Sequence, residues 1–203
     1  KDAQYTLATS GCTAGSNLAT CLTTLNAKYG PEASLYYHDS TLTNGAGDGS
    51  IRYSGANPDN YVCFGSTASP CPADNLYRII YVKSGQVKLI KATVASSALL
   101  GTDGDYSSST MYSWNYKADT TINSRSGSNT WSTSLLNKTN LNTNFITNIG
   151  TEWAEKIATT TWKVGGNTSA NIRDVVPATT YQNEIVNPVT TNTTDNATEY
   201  PAK

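Results

Sequence analysis

The sequence predicts an α+β fold, in which an antiparallel sheet surrounds a central hairpin at residues 76–91, with a few short helices and long loops. Two segments carry this prediction. "NLYRIIYVKSGQVKLIK" places two runs of β-branched and aromatic residues around a Ser-Gly turn, which is typical of a β-hairpin. "SNLATCLTTLNAKYGP" repeats apolar residues at helical spacing and ends in Gly-Pro, which indicates a short helix.

Either Ser16 or Asn17 can cap this helix, because both side chains accept hydrogen bonds from free backbone N–H groups. Its apolar face carries Leu18, Cys21, Leu22 and Leu25. We expect two parts in the chain: a disulfide-stapled helical segment at residues 1–35 and an α+β domain at residues 36–203.

Further elements follow in order. Ile51 and Tyr53 occupy one face of a short strand, and "NYVCFG" alternates as another. A long surface loop is predicted at residues 101–130, followed by one or two helices, and "TTTWKVGGN" is predicted to return to strand. The tail from Asn183 offers one strand candidate and then polar coil. The most buried residues of the hairpin are expected among Ile79, Ile80, Val82, Val87, Leu89 and Ile90.

The four cysteines fall into two local pairs, Cys12 with Cys21 and Cys63 with Cys71. No CxxC motif occurs, and a single histidine leaves too few ligands for a common zinc site. Two short-range disulfides are therefore predicted, and four buried thiols are the alternative. Disulfides persist in oxidising compartments, which favours an extracellular location.

Composition excludes several classes of function. Charged residues make up 14% of the 203 residues and the net charge is −1, so no basic surface for nucleic acid is expected. No apolar run approaches the roughly 20 residues of a membrane-spanning helix. Abundant Ser, Thr and Asn are typical of an extracellular, turn-rich protein.

Candidate catalytic and metal-binding residues are few. His38 is the single histidine, and no G-x-S-x-G motif accompanies it, so a surface role is favoured over a catalytic triad. Glu152 and Glu155 share a helix face beside Lys156 and are interpreted as solvated. Asp103 and Asp105 lack the further oxygen ligands of a calcium loop. We expect no catalytic residue, metal ion or cofactor.

The aromatic residues favour a binding surface. The chain has 13 Tyr and 4 Trp but only 2 Phe, and Tyr and Trp combine an apolar ring with a polar group. Tyr112, Trp114 and Tyr116 lie together in the long loop. These three are the candidate ligand-binding residues, and rings that cap the edge of the core are the alternative.

Three segments carry a resemblance to a known group: "YYHDSTLTNGAGDGSIRYSGANPDNYVCFGS", "CPADNLYRIIYVKSGQVKLIK" and "NTWSTSLLNKTNLNTNFI". They resemble uncharacterised secreted or surface proteins of low-GC Gram-positive gut bacteria. The resemblance implies the first half of a C-type-lectin-like, or sulfatase-modifying-factor-like, domain, often preceded by a pilin-like helix. It also implies that this domain continues past Lys203. The group supplies no catalytic motif to transfer.

These observations favour a non-enzymatic extracellular protein of the cell surface or of a pilus, with an adhesive or ligand-binding role. The expected partners are a glycan or a host or bacterial surface protein, and a homo-oligomer or filament is compatible with the sequence. The alternatives are a secreted glycan hydrolase that uses a carboxylate pair and a structural filament subunit.

Overall fold

A computed structural model of the chain describes residues 17–102, 136–164 and 198–202. The chain divides into two compact units between Ala95 and Ser96. Short helices and antiparallel strands make up the described residues, which confirms the α+β class. In the first unit the N-terminal helix and the sheet share one hydrophobic core.

The first helix, α1 (Leu18–Tyr29), has the expected ends. The side chain of Asn17 accepts a hydrogen bond from the Thr20 amide at 3.0 Å, which satisfies one free N–H of the first turn. Gly30 ends the helix at a φ of +47°, a conformation that glycine adopts without a Cβ penalty. A 3₁₀ turn, Gly30–Ala33, leads into the sheet.

The sheet of the first unit has five antiparallel strands and curls into a half-barrel. They are β1 (Leu35–His38), β2 (Ser50–Tyr53), β3 (Tyr61–Cys63), β4 (Leu76–Lys83) and β5 (Gln86–Lys91). β4 is central, because β5 pairs along one side while β3 and β2 share the other. Ser84 and Gly85, both at positive φ, form the predicted turn of the β4–β5 hairpin.

A bulge in β4 decides which side chains enter the core. Ile79 pairs with Leu89, but Tyr81 pairs with Lys88, so Ile80 is an extra residue in β4. Side chains alternate along a strand, so one extra residue moves all later side chains to the opposite face. The bulge therefore directs Val82 into the core and Tyr81 away from it.

The two most buried residues of the hairpin, Ile79 and Val82, belong to the predicted set. Ile79 and Val82 are buried, and Val87 and Leu89 pack partly buried against the same core. Ile90, in contrast, is 54% exposed because it pairs with Arg78 on the face away from the core. Ile80, the bulge residue, is only half-buried.

The core of the first unit lies between α1 and one face of the sheet. Ile51 and Tyr53 share this face of β2, as predicted from their spacing. The buried members of the cluster are Ala19, Leu22, Leu25, Leu35, Ile51, Ile79 and Val82.

Cys63 and Cys71 form a disulfide with a Cα–Cα distance of 5.8 Å, as the sequence predicts. The bridge closes a short loop between β3 and β4. Two hydrogen bonds between Phe64 and Asn75 hold the base of this loop. The loop therefore fixes the approach of the chain to its central strand.

The second unit contains short helices and a separate pair of strands. Its elements are α2 (Ser97–Leu100), a π-helix (Leu136–Phe145), α3 (Ile146–Asn148), α4 (Thr151–Ala154), β6 (Thr160–Val164) and β7 (Thr198–Ala202). β6 and β7 pair antiparallel. β6 confirms the predicted strand. The expectation of polar coil at the end of the tail is wrong, because residues 198–202 pair with β6.

Three asparagines hold the end of α2. Asn140 and Asn144 donate from Nδ2 to the Leu100 carbonyl, and Asn148 donates to the Leu99 carbonyl, each at 3.0 Å. The last carbonyls of a helix have no partner within it, and these side chains supply one. The chain turns at Gly101, whose φ is +70°.

Candidate ligand-binding face

The sheet of the first unit presents a second face, opposite the core. Residues paired directly across neighbouring strands point to the same side of a sheet. Arg52 pairs with Tyr36 on one side and Tyr81 on the other, and Tyr81 pairs with Lys88. A second row runs from Tyr61 through Arg78 to Ile90. We call six of these residues the cation–tyrosine face: Tyr36, Arg52, Tyr61, Arg78, Tyr81 and Lys88.

Tyr81 lies between two cations of this face. The Arg52 guanidinium carbon is 5.0 Å from the centre of the Tyr81 ring, and the Lys88 Nζ is 5.5 Å from it. Cations within about 6 Å of an aromatic ring are attracted to its electron-rich face. This arrangement depends on the bulge, because an uninterrupted strand would turn Tyr81 toward the core.

Arg52 is fixed by a small polar network at the start of β2. Its Nη2 lies 2.9 Å from an Asp48 carboxylate oxygen, and its Nε donates to the Ser50 hydroxyl at 2.8 Å. Ser50 in turn donates to Asp48, and Lys83 lies 3.8 Å from the same carboxylate. Arg52 is thereby held in place for its contact with Tyr81.

The network also sets the charge of Asp48. Burial by itself raises the pKa of Asp48, but hydrogen bonds from Ser50 and Arg52, with the Arg52 charge, outweigh it and lower the pKa to about 2. Burial lowers the pKa of Lys88, and the nearby Arg52 charge lowers it further. Arg52 and Lys88 therefore lie close together in a partly desolvated surface, where the Asp48 carboxylate balances the charge of Arg52 and Lys88 adds a second positive charge.

Arg78 is held in a different way. Its Nε donates to Asn60 Oδ1 at 2.9 Å, and its guanidinium carbon lies 5.2 Å from the Tyr61 ring centre. Among the described residues, no carboxylate lies within ion-pair distance of Arg78. The fixed position comes from a neutral amide and an aromatic ring, and neither of these groups neutralises the positive charge.

The residues proposed from sequence have mixed outcomes. Tyr112, Trp114 and Tyr116 lie outside the described residues, as do Asp103 and Asp105. The Cys63–Cys71 bridge is present. Cys21 is also disulfide-bonded, and its expected partner, Cys12, lies outside the described residues.

His38, Ser50 and Asp48 are neighbours but lack the hydrogen bonds of a catalytic triad. His38 pairs across the strands with Ser50. A triad requires the serine hydroxyl to donate to histidine and the aspartate to accept from it. Here His38 Nδ1 accepts from the Ala46 amide at 2.9 Å, while Ser50 donates to Asp48. The three side chains therefore form turn and ion-pair contacts.

Glu152 makes the surface contact that the sequence predicts. It lies 3.4 Å from Lys156 one helical turn later, and its side chain is 74% exposed. Among the described residues, no group of three or more His, Cys, Asp or Glu side chains is placed to hold a metal ion. The cation–tyrosine face is the candidate binding site in the described part of the chain.

The sequence alone does not reveal this face, for an identifiable reason. Alternation of Tyr and Arg is visible in "SIRY" and "NLYRIIYV", but the bulge at Ile80 is not. Without the bulge, period-2 alternation places Tyr81 on the core side. The pairing of Arg52 with Tyr81 also joins strands that are far apart in sequence.

The fold and this face define an α+β protein with a cationic, tyrosine-rich sheet surface. Comparison with known proteins found no matching family model, curated protein or solved structure. Within the described ranges, no helix has both the length and the apolar character needed to cross a membrane.

Proposed function

We propose that this protein is a non-enzymatic extracellular surface protein that binds glycans through the cation–tyrosine face. One observation carries the proposal: Tyr81 is held between Arg52 and Lys88 on the sheet face away from the core. Tyrosine rings offer flat apolar area with a hydroxyl at the rim, and cations beside them bind hydroxyl or acidic groups.

The site has the character of a preorganised binding surface. The six side chains of the face are half-buried, so packing limits their motion while part of each remains accessible. Fewer rotamers then have to be immobilised when a ligand binds, which lowers the entropic cost of association. The rigid sheet also fixes the spacing between the rings.

Location outside the cell is supported by the cysteines. The Cys63–Cys71 bridge and the bonded Cys21 are typical of an oxidising compartment. The resemblance of residues 35–203 to bacterial surface proteins agrees with such a location. A lectin-like role and association with a pilus belong to the same proposal.

The test is binding to immobilised neutral and acidic oligosaccharides, followed by calorimetry on those retained. We expect Tyr81→Ala and Tyr61→Ala each to weaken binding by about tenfold or more, as loss of an aromatic anchor does. Tyr29→Ala is the matched control, because Tyr29 also lies under a lysine, at 4.8 Å from Lys28, but belongs to α1. Absence of binding to every oligosaccharide, or unchanged binding by Tyr81→Ala, would contradict the proposal.

A structural filament subunit is the second candidate, and one observation favours it. β5 pairs with β4 on one side, no described strand pairs with its other side, and Ile90 of β5 is 54% exposed. Unpaired strand edges can accept a strand from another chain. Light scattering at rising concentration tests this: self-association that Ile90→Lys abolishes would favour the filament.

A further inference from the structure

We infer that Arg78 binds the carboxylate group of an acidic sugar, an inference that rests on the glycan-binding function proposed above. The site consists of the guanidinium of Arg78, its support Asn60 and the flanking ring of Tyr61.

Asn60 fixes the direction of the Arg78 guanidinium. Asn60 is buried, its Nδ2 donates to the Ile79 carbonyl at 2.7 Å, and the Ile79 amide donates to the Asn60 carbonyl at 2.8 Å. Because Nδ2 must be the donor, Oδ1 is the atom left for Arg78. Arg78 Nε occupies that oxygen at 2.9 Å.

The two terminal nitrogens of Arg78 are the groups that remain for a ligand. Among the described residues, no hydrogen-bond acceptor contacts them, and no carboxylate neutralises the charge. The end of a guanidinium presents two parallel N–H groups, which match the two oxygens of a carboxylate. Because Nε is already bound to Asn60, a carboxylate would pair with the two terminal nitrogens at the end of the guanidinium.

The surroundings of Arg78 suit a sugar. Across the strands it lies between Tyr61 and the exposed Ile90. These side chains give apolar area on both sides of the charge, where the ring of a sugar can pack while its carboxylate pairs with the guanidinium. Lys88 adds positive charge to the same face, which favours an acidic ligand over a neutral one.

The experiment compares matched ligands on the full chain. The acidic probes are 3′-sialyllactose and trigalacturonate, the neutral probes are their methyl esters, and 3′-sulfolactose tests sulfate. We expect Arg78→Lys, which keeps the charge but loses the fork, to weaken binding of the acids by about tenfold, since hydrogen bonds to charged groups are among the stronger ones. Binding of the esters should be unchanged.

Arg78→Gln removes the charge and should weaken binding of the acids at least as much as Arg78→Lys does. Lys28→Gln, which removes an exposed charge on α1, is its control and should bind the acids like the parent. Melting curves of all variants verify folding. Equal affinity for acids and esters, or an Arg78→Lys variant that binds acids like the parent, overturns the carboxylate inference while glycan binding stands. Tighter binding of 3′-sulfolactose than of both acids also overturns it. Failure of every probe, esters included, overturns the carboxylate inference, and failure of the whole oligosaccharide panel overturns the proposed function as well.

Discussion

Asn60 and Ile79 exchange two hydrogen bonds across 19 positions of sequence. The Ile79 amide donates to the Asn60 carbonyl at 2.8 Å, and Asn60 Nδ2 donates to the Ile79 carbonyl at 2.7 Å. On this side of β4, β3 pairs with the first residues of the strand and β2 with the last ones. Asn60 supplies hydrogen bonds to Ile79, which lies between these two groups of residues. Asn60 Oδ1 also accepts a hydrogen bond from Arg78. One buried amide therefore stabilises both the sheet and the proposed site.

We predict that Asn60→Ala lowers the free energy of unfolding by about 1–3 kcal/mol, because the Ile79 carbonyl loses its side-chain donor in a buried place. Chemical denaturation measures the loss. Asn57→Ala, an exposed asparagine in the same connection, is the matched control and should change little. Equal stability of the two variants would show that Asn60 is dispensable.

Ile79 and Ile90 provide a second comparison within one hairpin. Ile79→Ala should cost about 2–5 kcal/mol, because it opens a cavity between α1 and the sheet. Ile90→Ala should cost less than about 0.5 kcal/mol, because Ile90 is 54% exposed. Urea unfolding of both variants tests the bulge directly: if the two costs are similar, the assignment of faces is wrong.

The disulfide between Cys63 and Cys71 should stabilise the protein by about 2–3 kcal/mol. It closes a short loop and so lowers the conformational entropy of the unfolded chain. Double substitution by serine and denaturation measure this contribution. Peptide mapping without reductant tests the other predicted pair. We expect a Cys12–Cys21 peptide, and a peptide joining Cys12 to Cys63 or Cys71 would contradict the prediction.

Acid should destabilise the first unit through Asp48. The pKa of Asp48 is lowered to about 2 in the folded state, so the unfolded state binds a proton more readily. The stabilisation is complete above about pH 4 and is lost as the pH falls toward about 2. Asp48→Asn should be less stable than the parent at neutral pH and show a shallower loss of stability between pH 4 and pH 2.

Glu152→Gln is the control for this pH measurement, because Glu152 is an exposed carboxylate whose ion pair lies on a helix surface. Its stability should follow the parent across the same range. A parent and an Asp48→Asn variant with parallel pH curves would exclude Asp48 as the source of the acid sensitivity.

Gly101 should tolerate alanine poorly. At a φ of +70° a Cβ costs roughly 1–2 kcal/mol, and here it would also collide with the Asn144 side chain that caps α2. Gly47→Ala is the control: its φ is +63° and its Cβ meets no atom within 4 Å, so only the conformational cost applies. Calorimetry should show that Gly101→Ala costs more than Gly47→Ala, and that Asn144→Ala reduces the difference.

Local sequence signals determined much of this fold. The cap at Asn17, the stop at Gly30, the Ser-Gly hairpin turn and the Cys63–Cys71 loop each depend on residues within about ten positions of one another. Short-range hydrogen bonds, φ preferences and small rings specify such features. The α+β class follows from them.

The candidate site was decided only by tertiary structure. The bulge at Ile80 moves Tyr81 to the outer face, and its signal lies in the pairing with β5 rather than in β4 itself. Arg52 reaches Tyr81 because β2 and β4 are neighbours in the sheet, and Asn60 aligns Arg78 because it lies beside β4 between the pairings with β3 and β2. Sequence fixes the period of each strand, but strand register and neighbours depend on contacts between distant residues, and these determine which tyrosines meet which cations.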